Sequence, residues 1–242
     1  MDHEAYFGVI TAHANALADV ARESEPTARV PSCPGWDVAK LVRHTGTAHR
    51  WASGVVRSRQ PLAPKSIDLE LPDDASGLAG WLERSAAGLV ASLADADPGA
   101  ECWTWTDQRH VGFWSRRMAH ETAVHRWDGQ GATGSPEPFD AALAADGIDE
   151  HVENLRSIVG ADTTIGAGET LHLQCTDVAG EWLLRLGPDG LEIHRQQVNA
   201  DHALRGAASD LFLIVLGRVS PTEVEHVGNP AGLDRWSRVL HF

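Results

Sequence analysis

The chain has 242 residues, 43% of them hydrophobic, and a formal net charge of −14 at pH 7. Its length suits one large domain or two modest ones of about 100 to 150 residues, and its apolar content is that of a globular protein. A chain this acidic is repelled by a phosphate backbone and by anionic lipid, which sets aside nucleic acid and membrane surfaces as partners.

In chain order, residues 4–22 place Ala, Leu, Val and Ile at helical spacing with no Gly or Pro after Gly8, so a first helix is expected there. The opening MDHEAYFGVI has no basic segment and no long apolar run, so a secretory signal is not expected. Nowhere does an apolar run of about 18 residues offer a spanning helix. Breakers fill Pro26 to Gly35, and a second helix should run from Trp36 or Asp37 to Arg57. It carries one stripe of Leu41, Ala48, Trp51 and Val55 and a neighbouring one of Val38, Val42, Thr45 and Ala52. Pro61, Pro64 and Pro72 mark a loop. A third helix is expected over Ala75 to Ala94, with Leu78, Trp81, Leu82, Leu89 and Leu93 inward. After Pro98-Gly99, a fourth should span Phe113 to Asp128, ended by Gly129 and Gly131. Four helices within about 130 residues imply an antiparallel bundle, assigned to residues 1–135.

The pattern changes after Gly134-Ser135-Pro136. A linker helix is expected at 139–158, then a small α+β domain at 160–242. Leu171, Leu173 and Cys175 alternate with His172 and Gln174. Trp182, Leu184 and Leu186 form a second run, and Leu191, Ile193 and Arg195 a third, with Pro188-Asp189-Gly190 as a hairpin turn between the last two. Helices are expected at Ala207 to Leu216 and Ala231 to Leu240. The fold class is therefore α+β: a four-helix bundle followed by a small α+β domain. Three cysteines, Cys33, Cys102 and Cys175, are odd in number and form no C-x-x-C pair, which points to a reduced, cytoplasmic protein.

The fourth helix reads FWSRRMAHETAVHRWD. Residues four apart on a helix are offset by only ~40°, so Glu121 and His125 share a face that begins with Trp114 and Met118. A carboxylate on such a face needs compensation. Glutamate oxygen and imidazole nitrogen are ordinary zinc ligands, so a divalent cation held by both would supply it. A simple hydrogen-bonded i, i+4 pair is the alternative. His120-Glu121 followed by His125 resembles H-E-x-x-H but is one residue too long. The two histidines then lie ~140° apart around the helix and cannot chelate one metal. The second helix offers a third ligand, either His44 or His49. Three protein ligands would leave a coordination position open, as in catalytic zinc sites.

At these residues, SCPGWDVAKLVRHTGTAHRW followed by RRMAHETAVHRWDGQ resembles the mycothiol-dependent maleylpyruvate isomerase family, whose N-terminal half is a DinB-like metal-binding bundle. ASDLFLIVLGR and GNPAGLDRW are similar to that family's small C-terminal α+β domain. The resemblance implies metal ligands His44, Glu121 and His125, and a substrate-binding arginine for which Arg218 is the candidate. It also implies zinc or another divalent metal as cofactor and mycothiol as thiol cosubstrate.

No cysteine lies in a motif suited to a nucleophile, which fits a thiol arriving as a cosubstrate. A free thiol has a pKa near 8.5, and coordination to a metal deprotonates it. Attack on an electrophilic carbon then gives cis–trans isomerisation if the adduct collapses after bond rotation, or thiol transfer if it persists. The expected function is a zinc-dependent mycothiol transferase or isomerase acting on a small electrophilic, anionic substrate. A non-catalytic metal- and ligand-binding module, or a zinc hydrolase on the same ligands, is the alternative. Asp128 is a candidate to orient a ligand, or a solvated carboxylate at the helix end.

Overall fold

Asp2 and Asp37 set where the first two helices begin. Each accepts a hydrogen bond from the backbone amide three residues on, Ala5 and Lys40, at 2.8 Å, satisfying a donor that a helix start otherwise leaves unpaired. In a computed structural model of the chain, described over residues 1–134, 136–158, 168–187, 190–195 and 199–241, these helices are α1 (His3–Glu23) and α2 (Val38–Ser58). A 3-10 turn at Ala75–Gly77 leads into α3 (Leu78–Ala94), and α4 is Val111–Thr133. The chain divides into two compact units, Met1–Glu137 and Pro138–Phe242.

In the first unit, α1 to α4 enclose a core that includes Ile10, Leu17, Leu41, Val55, Trp81, Leu82, Leu89, Leu93 and Trp114. All five residues expected inward on α3 are buried. The fourth helix, however, does not stop at Asp128. It continues through Gly129 and Gly131 to Thr133 and ends where Gly134 turns left-handed, at φ 82°. The reason is packing: a Cβ on Gly129 would lie 2.5 Å from Leu17 Cδ1, so this glycine permits close approach of α4 to α1 and is no terminator. Gly46 plays the same part on α2, where a Cβ would lie 2.2 Å from the Trp81 ring of α3.

The second unit opens with α5 (Ala141–Ile158), which packs inside it: His151 Nε2 bonds to Leu240 O, and Trp182 Nε1 donates to Asp149 Oδ1. A five-stranded mixed sheet follows in the order β3-β2-β1-β4-β5. Its strands are β1 (Thr170–Cys175), β2 (Glu181–Gly187), β3 (Gly190–His194), β4 (His202–Gly206) and β5 (Glu225–Val227). Only β1 and β4 run parallel; the other pairs are antiparallel. Helices α6 (Ala208–Val215) and α7 (Pro230–Leu240) complete the unit, and the protein is α+β. β4 and β5 are additions to the three expected runs. Arg195 falls just outside β3. Pro188 and Asp189 of the expected turn, and Ser135, lie outside the described residues, although Gly187 and Gly190 face each other where the β2–β3 ladder closes. Among the described residues no helix is long and apolar enough to cross a membrane.

Candidate metal centre

Neighbouring helices α2 and α4 bring three donors together. His44 Nε2 lies 3.1 Å from Glu121 Oε1, and His125 Nε2 lies 3.1 Å from the same oxygen. All three ligating atoms are within 4.8 Å of one another, and no other such group of three occurs among the described residues. The two imidazole rings meet edge to face, with centroids 4.9 Å apart. His120 does not join them, as its position five residues before His125 requires.

His44 and His49 have opposite fates. The stripe pattern admits either as an inward residue, but only His49 is fully buried, and its Nε2 is engaged with the Thr122 hydroxyl at 2.8 Å. Burial pushes its pKa down to about 4 and so keeps it neutral. His44 lies at the margin of the bundle, with its side chain 42% exposed, and its ring nitrogen reaches Glu121.

Behind His125 stands Asp128, with no solvent exposure. Its Oδ2 is 3.0 Å from His125 Nδ1, and its Oδ1 accepts from the Ser32 hydroxyl at 2.5 Å. The solvated alternative for Asp128 is thereby removed. A carboxylate on Nδ1 fixes the ring's orientation and directs Nε2 toward Glu121, an arrangement common behind metal-ligating histidines. On the other side, Arg117 Nη2 donates to Glu121 Oε2 at 2.5 Å. Arg117 was not singled out from sequence, although its spacing of four residues before Glu121 is the signal of a helical ion pair. Trp36, also missed, covers the two imidazoles, its centroid 4.8 Å from His44 and 6.2 Å from His125.

The electrostatics follow from this crowding. Burial alone would raise the Glu121 pKa, but the charges of His125 and Arg117 and bonds from both imidazoles hold it well below the usual carboxylate range. Burial alone would lower that of His125, but Glu121 and Asp128, one on each ring nitrogen, raise it to about 9. A protonated His125 and the Arg117 guanidinium thus offset the Glu121 and Asp128 carboxylates. The donor set also fits a divalent metal. Ligands bonded at ~2.0–2.2 Å in a tetrahedral array lie about 3.4 Å from one another, close to the 3.1 Å seen here on either side of Oε1.

Arg218 lies in the second unit, just past α6. Its Nη1 donates to Leu216 O at 2.9 Å and its backbone N–H to Leu213 O at 2.8 Å, a position suited to the negative end of a helix. All three cysteines are free. Cys102 and Cys175 are buried, and burial raises both thiol pKa values, that of Cys175 to about 11, which disfavours a thiolate at either.

Residues 8–129 match the family described as the mycothiol maleylpyruvate isomerase N-terminal domain. Among solved structures, the chain is similar to the mycothiol-dependent maleylpyruvate isomerase. One structure of that protein gives a TM-score of 0.58 at 14% identity over 91% of both chains. A mutant of it in which a histidine is replaced by alanine gives 0.60 at 14% identity over 93% of both. At that identity the likeness is one of fold. No curated protein matches the chain.

Proposed function

The chain belongs to the mycothiol maleylpyruvate isomerase family, whose N-terminal domain its own N-terminal half matches, and from that premise we propose that it is a divalent-metal enzyme using mycothiol to isomerise, or to transfer the thiol onto, a small electrophilic anion. The observation that carries this reading is the meeting of His44 Nε2, Glu121 Oε1 and His125 Nε2 from two helices, with a buried carboxylate behind one of them. In this reading those three atoms hold the metal, with zinc the best match to two imidazoles and a carboxylate. When bound, the metal supplies a positive centre at which an incoming thiol is deprotonated at neutral pH.

The chain's own residues do the rest. Asp128 keeps the His125 ring in register by accepting a hydrogen bond from its Nδ1–H. Arg117 neutralises the Glu121 oxygen that faces away from the imidazoles. Trp36 packs against both rings and restricts water on its own side of the site. Arg218 is assigned to the substrate carboxylate, because a guanidinium matches a carboxylate in a bidentate fork. The thiol comes from outside, since Cys102 and Cys175 are buried with raised pKa values. The two compact units serve as a metal-binding domain and a substrate-binding domain, and three free cysteines accord with a cytoplasmic setting.

The test is metal analysis of the purified protein, followed by assay of the zinc-loaded form on maleylpyruvate with and without mycothiol. About one equivalent of metal and thiol-dependent turnover, both lost in Glu121→Ala, are expected. Turnover that ignores the thiol would replace this reading with a hydrolase. Metal bound without reaction on this or related electrophiles would leave a binding module.

A further inference from the structure

Around α2 from His44, toward α3, lies a second set of charged side chains. Arg50, Arg57 and Arg84 line a cavity of about 300 Å³ together with Ser85 and two carboxylates, Asp68 and Glu70. On α2, Arg50 is six residues beyond His44, or ~240° around the axis, so this cavity and the metal centre use different sides of the helix.

Arg50 is held in place before any ligand arrives. Its Nε donates to the buried Ser85 hydroxyl at 2.9 Å, and that hydroxyl in turn donates to Trp81 O at 2.8 Å. Its guanidinium lies 5.7 Å from the Trp81 ring centroid. Only Nη1 has an anionic partner, Glu70 Oε2 at 2.9 Å. Arg57 makes one long contact, 3.4 Å to the Ser92 hydroxyl. Among the described residues, Arg84 has no hydrogen-bond or ion-pair partner. Three guanidinium groups therefore face two carboxylates in one cavity; Glu70 is ion-paired to Arg50, and Asp68 Oδ1 accepts from the Glu70 backbone N–H.

Glu70 is an exchangeable partner. Its side chain is 69% exposed, and its backbone sits at φ 44°, a left-handed conformation that costs a residue with a side chain about 1 kcal/mol. Two bonds hold it there: Trp81 Nε1 donates to Leu69 O at 2.7 Å, and Glu70 N donates to Asp68 Oδ1 at 3.0 Å. The segment thus presents a carboxylate to Arg50 where an incoming oxyanion would bind. An exposed ion pair contributes little to stability, so a ligand that engages Arg50 and Arg84 together replaces a weak interaction with several charge-assisted bonds.

The geometry points to this cavity as a second binding site, for a small oxyanion bearing a phosphate or two carboxylates, separate from the metal centre. On a chain of net charge −14, a local cluster of arginines is what lets an anion dwell at the surface.

Isothermal titration with inorganic phosphate, pyrophosphate and succinate, against a chloride control of equal ionic strength, tests the site. Saturable binding of at least one of the three is expected, and the anion that binds identifies the oxyanion class. Arg84→Ala, at an exposed position that should not disturb folding, should weaken it about tenfold, the effect of losing a charge-assisted bond. Arg84→Lys should restore part of the loss, and Glu70→Gln should tighten binding by removing the internal competitor. His44→Ala should leave it unchanged, which separates this site from the metal centre whatever the outcome there. Absence of saturable binding by all three anions, or binding indifferent to Arg84→Ala, would overturn the proposal.

Discussion

Each unit of the molecule holds a buried histidine bonded to a glutamate, and their surroundings differ. In the second unit, His172 on β1 meets Glu181 on β2 at 2.8 Å, a diagonal pair across an antiparallel ladder. The pair stands by itself in the sense that matters here, since no third donor joins it among the described residues. In the first unit, His125 meets Glu121 at 3.1 Å, and His44, Asp128 and Arg117 all converge on the same two side chains. A histidine–glutamate pair is a way of satisfying two buried polar groups. It becomes a candidate cation site when another helix adds a donor and a buried carboxylate fixes the imidazole.

That contrast is broken or upheld most sharply by removing one member of each pair. His125→Ala should bring metal content and thiol-dependent turnover to background, whereas His172→Ala should leave metal content as in the wild type, both read by elemental analysis and activity assay. Equal metal retention in the two variants would erase the distinction. Asp128→Asn tests the carboxylate behind the ring. It preserves shape but not charge, and metal affinity in a chelator competition should drop by about 10 to 100-fold. Arg218→Ala tests whether the second unit contributes through the substrate. The KM for an acidic substrate should rise about tenfold, as for one lost charged hydrogen bond, with metal content unchanged and Arg218→Lys recovering only part. Unchanged kinetics in both Arg218 variants would leave that arginine as the cap of its own helix.

The smallest effect concerns a histidine outside both pairs. His13 Nδ1 accepts from Arg126 Nε at 3.1 Å, and burial, with help from the Arg126 charge, lowers its pKa to about 4. Its folded pKa is below the unfolded value of 6.5, so between these values the unfolded chain binds more protons. The stability it contributes is complete above pH 6.5 and is lost as pH falls toward 4. Urea titrations of metal-free protein across that window should show a shallower decline for His13→Gln than for the wild type. Parallel curves would remove His13 from the acid response.

The bundle was legible because its apolar residues repeat at helical spacing between Pro- and Gly-rich breaks. Glu121 and His125 were legible from one interval of four residues. The choice of His44 over His49 was not legible from spacing, since both sit on apolar stripes, and came only from the family resemblance; in the fold, Thr122 engages His49 and Glu121 meets His44. The end of α4 was misjudged because Gly129 is a contact residue against Leu17, and local sequence does not distinguish a glycine that stops a helix from one that lets it pack. β5 has three residues, all exposed, so it has no apolar alternation. Its conformation comes from its antiparallel ladder with β4.

Arg117 decides how many arms Glu121 can extend. A carboxylate with both oxygens at liberty can clasp a cation twice and fill two places around it. Here one oxygen is committed to a guanidinium four residues away on the same helix, so Glu121 can offer only the other. In the proposed metal site, this cluster would thus offer three donor atoms. With the guanidinium alongside, a dication held by these residues would keep a positive surrounding, which would favour an anion such as a thiolate over a neutral molecule. In that reading, the number of oxygens Glu121 offers from one turn of α4 would be set by a residue on the turn before it.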